Sequence, residues 1–185
     1  MNKFNQIKEE IKNTIKNSKS PGDSEHSIIC LKWLLKINSN ATEEAQIAAL
    51  AHDIDRAVDP RVLWKEGKET YAEYKQRYAA RSSELIGNIM KKHGYSEESI
   101  NKVKKMVKNH EVGGDEETDQ LRDADSITYF ELNVFSYLEE RGFEKTKNKI
   151  KFMYERASNR ARELIKELDL SPEVDKVFEV VLKEL

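Results

Sequence analysis

One cysteine, Cys30, stands in 185 residues, so neither an internal disulfide nor a cysteine-based metal cluster is open to this chain, and a reducing, cytoplasmic setting is the expectation. Proline occurs three times and glycine seven, and alternating β-branched runs are scarce, which argues against a sheet of any size. No apolar run approaches the roughly 20 residues needed to span a bilayer. The start, MNKFNQIKEEIKNTIK, is charged throughout and lacks the apolar stretch of a secretory leader. An excess of one charge is missing too. Lys plus Arg is 32 and Asp plus Glu is 34, for a net charge of −2. Neither nucleic acid nor a membrane is therefore an expected partner, and any basic site must be a local patch.

What the chain has in abundance is charge, 36% of its residues, laid out with helical periodicity. Its length suits a single domain, 1–185, with a real core. The spacing predicts a first helix from Lys3 to Asn17, broken by SKSPGD. Ser24 is expected to cap a second, with Ile28, Leu31, Leu34 and Leu35 at core spacing. Thr42, followed by Glu43 and Glu44, opens a third. After an irregular connection, DPRVLWKEGK, helices are expected from about Thr70 to Lys92 and from Ser96 to Asn109. Gly113-Gly114 turns the chain into two long helices, about Thr118–Glu140 and Phe143–Leu168, and Ser171-Pro172 opens the last. The expected architecture is an all-α helical bundle.

The third helix carries the most informative feature, His52-Asp53, set among Ala, Leu and Ile. An imidazole and a carboxylate both lose hydration on burial, and a divalent metal is the partner that best explains such a pair. The competing explanation is a buried His–Asp hydrogen bond of structural use only. Ala45, Ala48 and Ala49 lie one turn earlier, and such small residues let neighbouring helices approach. His26 lies in the first turn of the second helix. Asp125, in LRDADSITYFE, falls on or beside the apolar stripe of its helix, where a carboxylate needs a cation or several donors. Asp123 points about 200° away and is expected to be solvated. Two imidazoles and two carboxylates form a mixed N/O set suited to Fe, Mn, Co, Ni, Zn or Mg.

In these pieces the chain resembles the HD-domain metal-dependent phosphohydrolase superfamily. They are His26 in EHSIICLKWL, His52-Asp53 in AALAHDIDRAV and Asp125 in RDADSITYFE, spanning about residues 22–140, with helices 143–185 expected to pack on that core. YKQRYAARSSELI, VKNHEVGG and ADSITYFELN resemble a smaller subgroup of uncharacterised predicted hydrolases. The resemblance implies an HD-type bundle, one divalent metal bound by His26, His52, Asp53 and Asp125, and hydrolysis of a phosphate ester, often a nucleotide. Relatives with two metals place extra histidines on the following helices. Here Tyr78 stands where one such histidine could fall, which favours a mononuclear site, with His110 as one possible extra ligand.

Other residues complete the expected site. Asp55 and Arg56 follow the pair at the helix end, Asp55 to hold a water or position Arg56, and Arg56 to bind a substrate phosphate through its planar fork. Arg61, Lys65 and Lys68 form a candidate phosphate-steering patch. His110, followed by Glu111 and a glycine hinge, is read as a site-facing acid/base or phosphate contact, with Glu111 beside the substrate. His93 fits a helix-end role instead. Arg156 and Arg160 share a face of one expected helix and are further candidates. Two other classes stay open: a metal- and nucleotide-binding sensor without turnover, and a structural helical adaptor. A di-iron oxygenase is disfavoured by its missing ligands.

Overall fold

A computed structural model describes residues 2–20, 22–60, 62–65 and 67–185. Nine α-helices and no strand are found among them. They are α1 (Lys3–Ile15), α2 (Asp23–Ile37), α3 (Glu43–Ala51), α4 (Tyr71–Lys92), α5 (Glu97–Asn109), α6 (Glu116–Thr128), α7 (Val134–Arg156), α8 (Asn159–Lys166) and α9 (Pro172–Glu184). A 3₁₀ turn, Ile54–Ala57, follows α3, and a π-helical turn, Tyr129–Asn133, joins α6 to α7. None of these helices is long and apolar enough to cross a membrane. The all-α bundle expected from the sequence is the observed fold.

Local chemistry sets most of the boundaries. Thr42, Ser96, Asp115 and Ser171 each accept a backbone N–H from the first turn of α3, α5, α6 and α9. Thr70 and Glu73 form a reciprocal capping box at the start of α4. Apolar stripes then face inward: Ile7, Ile11 and Ile15 on α1, and Ile100, Val103, Met106 and Val107 on α5. Buried residues from α1 to α9 join in one hydrophobic cluster. α2 lies against α3 and α6, α5 against α3 and α4, and α9 against α7.

The structure corrects several expectations. Gly22, at φ 89°, is the residue before α2, and Ser24 lies inside the helix rather than capping it. Ile28 is 48% exposed, because the inward face of α2 is set by His26, Cys30, Trp33 and Leu34. The helix expected from Thr118 to Glu140 carries a π turn, Tyr129–Asn133, within it, and the break expected before Phe143 falls at Gly142. The one expected from Phe143 to Leu168 stops at Arg156, and Ser158 restarts the chain as the cap of α8. Asp123 is buried rather than solvated, since its carboxylate accepts the Ser158 backbone N–H (2.9 Å) and hydroxyl (2.5 Å). That acceptor, not a Gly or Pro, ends the helix before it. Arg61 lies outside the described residues.

Candidate metal centre

Three helix ends and one helix interior supply the centre. The first turn of α2 brings His26, the residue after α3 is His52, the residue after α5 is His110, and α6 brings Asp125. His52 and His110 play the same local role. Each is the C-cap of its helix, each is followed by an acid (Asp53, Glu111), and each is 1% exposed. Their ring centroids are 5.1 Å apart.

The ring nitrogens show what these imidazoles are for. His52 Nδ1 donates to the Ala49 carbonyl at 2.9 Å, and His110 Nδ1 donates to the Val107 carbonyl at 2.7 Å. His26 Nδ1 donates to Asn133 Oδ1 at 2.8 Å, on the π turn between α6 and α7. A carbonyl can only accept, so each Nδ1 carries a proton and each ring turns its Nε2 inward. Those inward atoms converge. His26 Nε2 is 3.2 Å from His52 Nε2 and 3.2 Å from Asp125 Oδ1, and His52 Nε2 is 3.6 Å from the same oxygen. His26, His52 and Asp125 thus offer three ligand atoms within 4.8 Å of one another, and His110, Glu111 and Asp125 offer a second such set. Facing lone pairs and a carboxylate repel unless a cation, a proton or a metal ion, lies between them. Locked outer nitrogens are the arrangement that orients metal-bound histidines.

The surroundings hold the anions ionised. Burial opposes ionisation of Asp125, but Arg156, His26 and His52 outweigh it and keep the carboxyl well below its ordinary range. Burial likewise opposes ionisation of Asp53, and Arg56, His52 and Lys75 reverse the sign. Burial disfavours the protonated form of His52, yet Asp53 and then Cys30 raise its proton affinity well above the ordinary value, so positive charge is favoured at this spot. Arg156 spans the two acids, donating from Nη1 to Glu111 Oε2 at 2.8 Å and from Nη2 to Asp125 Oδ2, while its Nε donates to Ser126 Oγ at 2.9 Å. Lys75 pairs with Glu111 from the opposite side.

A cavity of about 450 Å³ opens beside the centre, lined among others by His26, Asp53, Arg56, Lys75, Glu111, Asp125, Lys149 and Arg156. Of the four expected ligands, His26, His52 and Asp125 fall in one set. Asp53 is adjacent but outside it: Oδ2 is 3.9 Å from His52 Nε2 and 2.7 Å from Arg56 Nη2, and Oδ1 is 4.0 Å from His110 Nε2. Arg56 is on the cavity wall, its fork shared between Asp53 and Asp23 (3.0 Å) and its guanidinium over the Tyr78 ring. Glu111 is on the cavity wall, and His110 is turned toward the centre.

Asp55 is not among the lining residues. It is wholly buried, accepts the Val62 N–H at 2.8 Å and pairs with Arg81 Nε at 3.2 Å, which gives it a structural task in the turn after the ligands. Lys65 and Lys68 are exposed and do not line the cavity, because the connection folds outward and the Lys65 backbone N–H is tied to Glu69. Arg160 is exposed on α8, since the break at Ser158 takes it off the face that carries Arg156. Lys75, Lys149 and Asn133 line the cavity without having been singled out from the sequence. A histidine followed by an acid at a helix end was a usable signal for the His110-Glu111 pair, whereas a lysine on an amphipathic helix gives none.

Fold and site together define a helical bundle with a buried histidine–carboxylate cluster able to hold a cation. Residues 2–178 match the model of the DUF4202 family, a domain of unknown function, and the chain belongs to that family. No curated protein and no solved structure matches it.

Proposed function

We propose that this chain is a metal-dependent phosphohydrolase acting on a phosphate ester of a small molecule, with a nucleotide as the leading candidate. The reading follows from the resemblance of His26, His52-Asp53 and Asp125 to the HD-domain superfamily. One observation carries it: three imidazoles have their Nδ1 protons committed outward, and two inward-facing Nε2 atoms stand 3.2 Å apart beside an ionised Asp125. His26, His52 and Asp125 would hold the ion, with Asp53 and His110 close enough to complete or adjust the set. A divalent ion in such a set supplies Lewis acidity and lowers the pKa of a bound water. His-and-carboxylate donors admit Fe, Mn, Co, Ni, Zn or Mg.

The chain's own residues would do the rest. Arg56 and Lys75 face the cavity beside the ligands and bind phosphoryl oxygens, stabilising equatorial charge as it develops. Arg156 holds Asp125 and Glu111 in register, so that Asp125 presents its free oxygen to the two imidazoles. Burial opposes ionisation of Glu111, but Lys75 and His110 hold it well below the ordinary carboxylate range, so it anchors Lys75, His110 and Arg156 at the cavity wall.

The test is a panel of phosphomonoesters and phosphodiesters offered to protein stripped of metal and reloaded with Mn, Co, Ni or Mg, with Asp53→Ala as the control. Metal-dependent hydrolysis lost in the variant is the expected result, and no hydrolysis with any metal overturns the reading. A sensor that binds a nucleotide without turnover is the second reading. Nucleotide that raises the melting temperature with no product formed selects this version.

A further inference from the structure

A second and larger cavity, of about 710 Å³, adjoins the one beside the centre. The two share Tyr71, Lys75, Glu111, Tyr137 and Lys149 as a common wall, so they form one continuous depression between α4, the end of α5 and α7. Its size is that of a small-molecule site. Its chemistry differs from that of the inner cavity. Four lysines, Lys75, Lys108, Lys145 and Lys149, stand against a single carboxylate, Glu111, which is already paired with Lys75 and Arg156. Lys149 forms no direct ion pair among the described residues. Burial first, and then the neighbouring charge of Lys75, brings its pKa down to about 8. Glu111 and Asp125 act on it only from a distance, so an incoming anion at this lysine is stabilising.

The same walls expose apolar surface. Tyr71 is 49% exposed, Phe152 47% and Val112 73%, and all three line this cavity together with Tyr137. Aromatic faces beside excess positive charge suit a planar ring that carries a negative group, since the ring stacks while the lysines take the charge.

We propose that this outer groove is a subsite for the part of the ligand remote from the metal centre, and that it takes a planar aromatic ring bearing a second anionic group, as in a nucleoside diphosphate. Which end of the ligand faces the centre rests on the phosphohydrolase reading, but occupancy of the groove does not. The inner cavity takes the phosphoryl group to be cleaved, and the outer one binds the remainder through Lys145, Lys149, Tyr137 and Phe152. Small phosphomonoesters, reaching only the inner cavity, are then poor substrates.

The test is equilibrium binding of adenosine diphosphate by calorimetry, with metal chelated throughout. Three proteins are compared: wild type, the double variant Lys145→Glu/Phe152→Ala, and Lys91→Glu as a charge control at the far end of α4, roughly 30 Å from Tyr71. Circular dichroism melts establish that each is folded. Wild type and Lys91→Glu are expected to bind alike, and the double variant at least about tenfold more weakly, a loss of about 1.4 kcal/mol. No binding by wild type, or equal binding by the double variant, overturns the subsite. Hydrolysis of adenosine diphosphate and of other phosphate esters by metal-loaded wild type is measured separately. If it occurs while the groove variants bind adenosine diphosphate normally, the subsite fails and the hydrolase reading stands. If binding depends on the groove and no ester is hydrolysed with any metal, the subsite stands and the hydrolase reading fails.

Discussion

At the scale of single residues, the centre depends on which nitrogen of each ring is spent. His52 and His110 use the carbonyl three residues back in their own helices, so the helix end itself sets the tautomer. His26 has no such carbonyl and depends on Asn133. Asn133→Ala should therefore free the His26 ring and weaken metal binding about 10- to 100-fold while leaving the fold intact, as read by competition with a chromogenic chelator. Unchanged affinity would mean that His26 is not a ligand. Asp125→Asn acts on two partners at once. It removes the oxygen facing both imidazoles and leaves the buried Arg156 short of a counter-charge, so bound metal should be lost and stability should fall by roughly 3 kcal/mol in urea melts. Retention of metal in a folded Asp125→Asn protein would remove this carboxylate from the centre.

Helix by helix, capping chemistry explains why much of the fold was legible in the sequence. Thr42, Thr70, Ser96 and Ser171 announce their helices in one dimension because a hydroxyl that serves a cap needs only its own backbone. Ser158 does not announce α8 in the same way. Nothing in ERASNRA forces a stop, and the break becomes visible only when Asp123, from α6, arrives to accept the Ser158 N–H and hydroxyl. The π turn, too, is written in no local pattern, though it delivers Asn133 to His26. Lys75 and Lys149 were hidden for a related reason. On a charged amphipathic helix a lysine reads as solvated until packing turns its neighbours toward a cavity.

Two predictions belong at this scale. Asp115 caps α6 through the Thr118 N–H and is also bonded by Lys105, which together with the Thr118 hydroxyl holds its pKa at about 2. A carboxyl depressed in the folded state contributes stability above its unfolded value near 3.8, and that contribution disappears as pH falls through about 2. Asp115→Ala should cost about 1 kcal/mol at pH 7, and the gap from wild type should close as the pH is lowered from 4 toward about 2. A gap that stays constant over that range would exclude the ionised cap. Gly142 interrupts α7 at φ 75° and ψ 174°, a conformation nearly closed to residues with a Cβ. Gly142→Ala should lower stability by about 1 to 3 kcal/mol although nothing crowds the added methyl, and a neutral substitution would show that α7 can run through unbroken.

Across the whole molecule, the ends of α3 and α5 meet the start of α2 and the middle of α6, so one ion would tie together four segments that are far apart in sequence. This coupling was only half legible. The order His26, His52-Asp53, Asp125 pointed to three helices converging, and His110-Glu111 was read as facing the site, but that this pair forms a second ligand set with Asp125 required knowing that α5 lies beside α3. An ion bound to the folded chain alone stabilises it by mass action, about 4 kcal/mol at a thousandfold excess over Kd. Chelation should accordingly lower the melting temperature, and adding metal back should restore it.

The most direct measurement is the metal stoichiometry of the purified chain after loading with manganese and exhaustive dialysis, compared with His52→Ala. The account predicts about one tightly held equivalent or more in the wild type and under about a tenth in the variant, because losing one fixed imidazole opens the ligand set. A wild-type protein that retains no metal, and melts at the same temperature with and without it, would contradict the account.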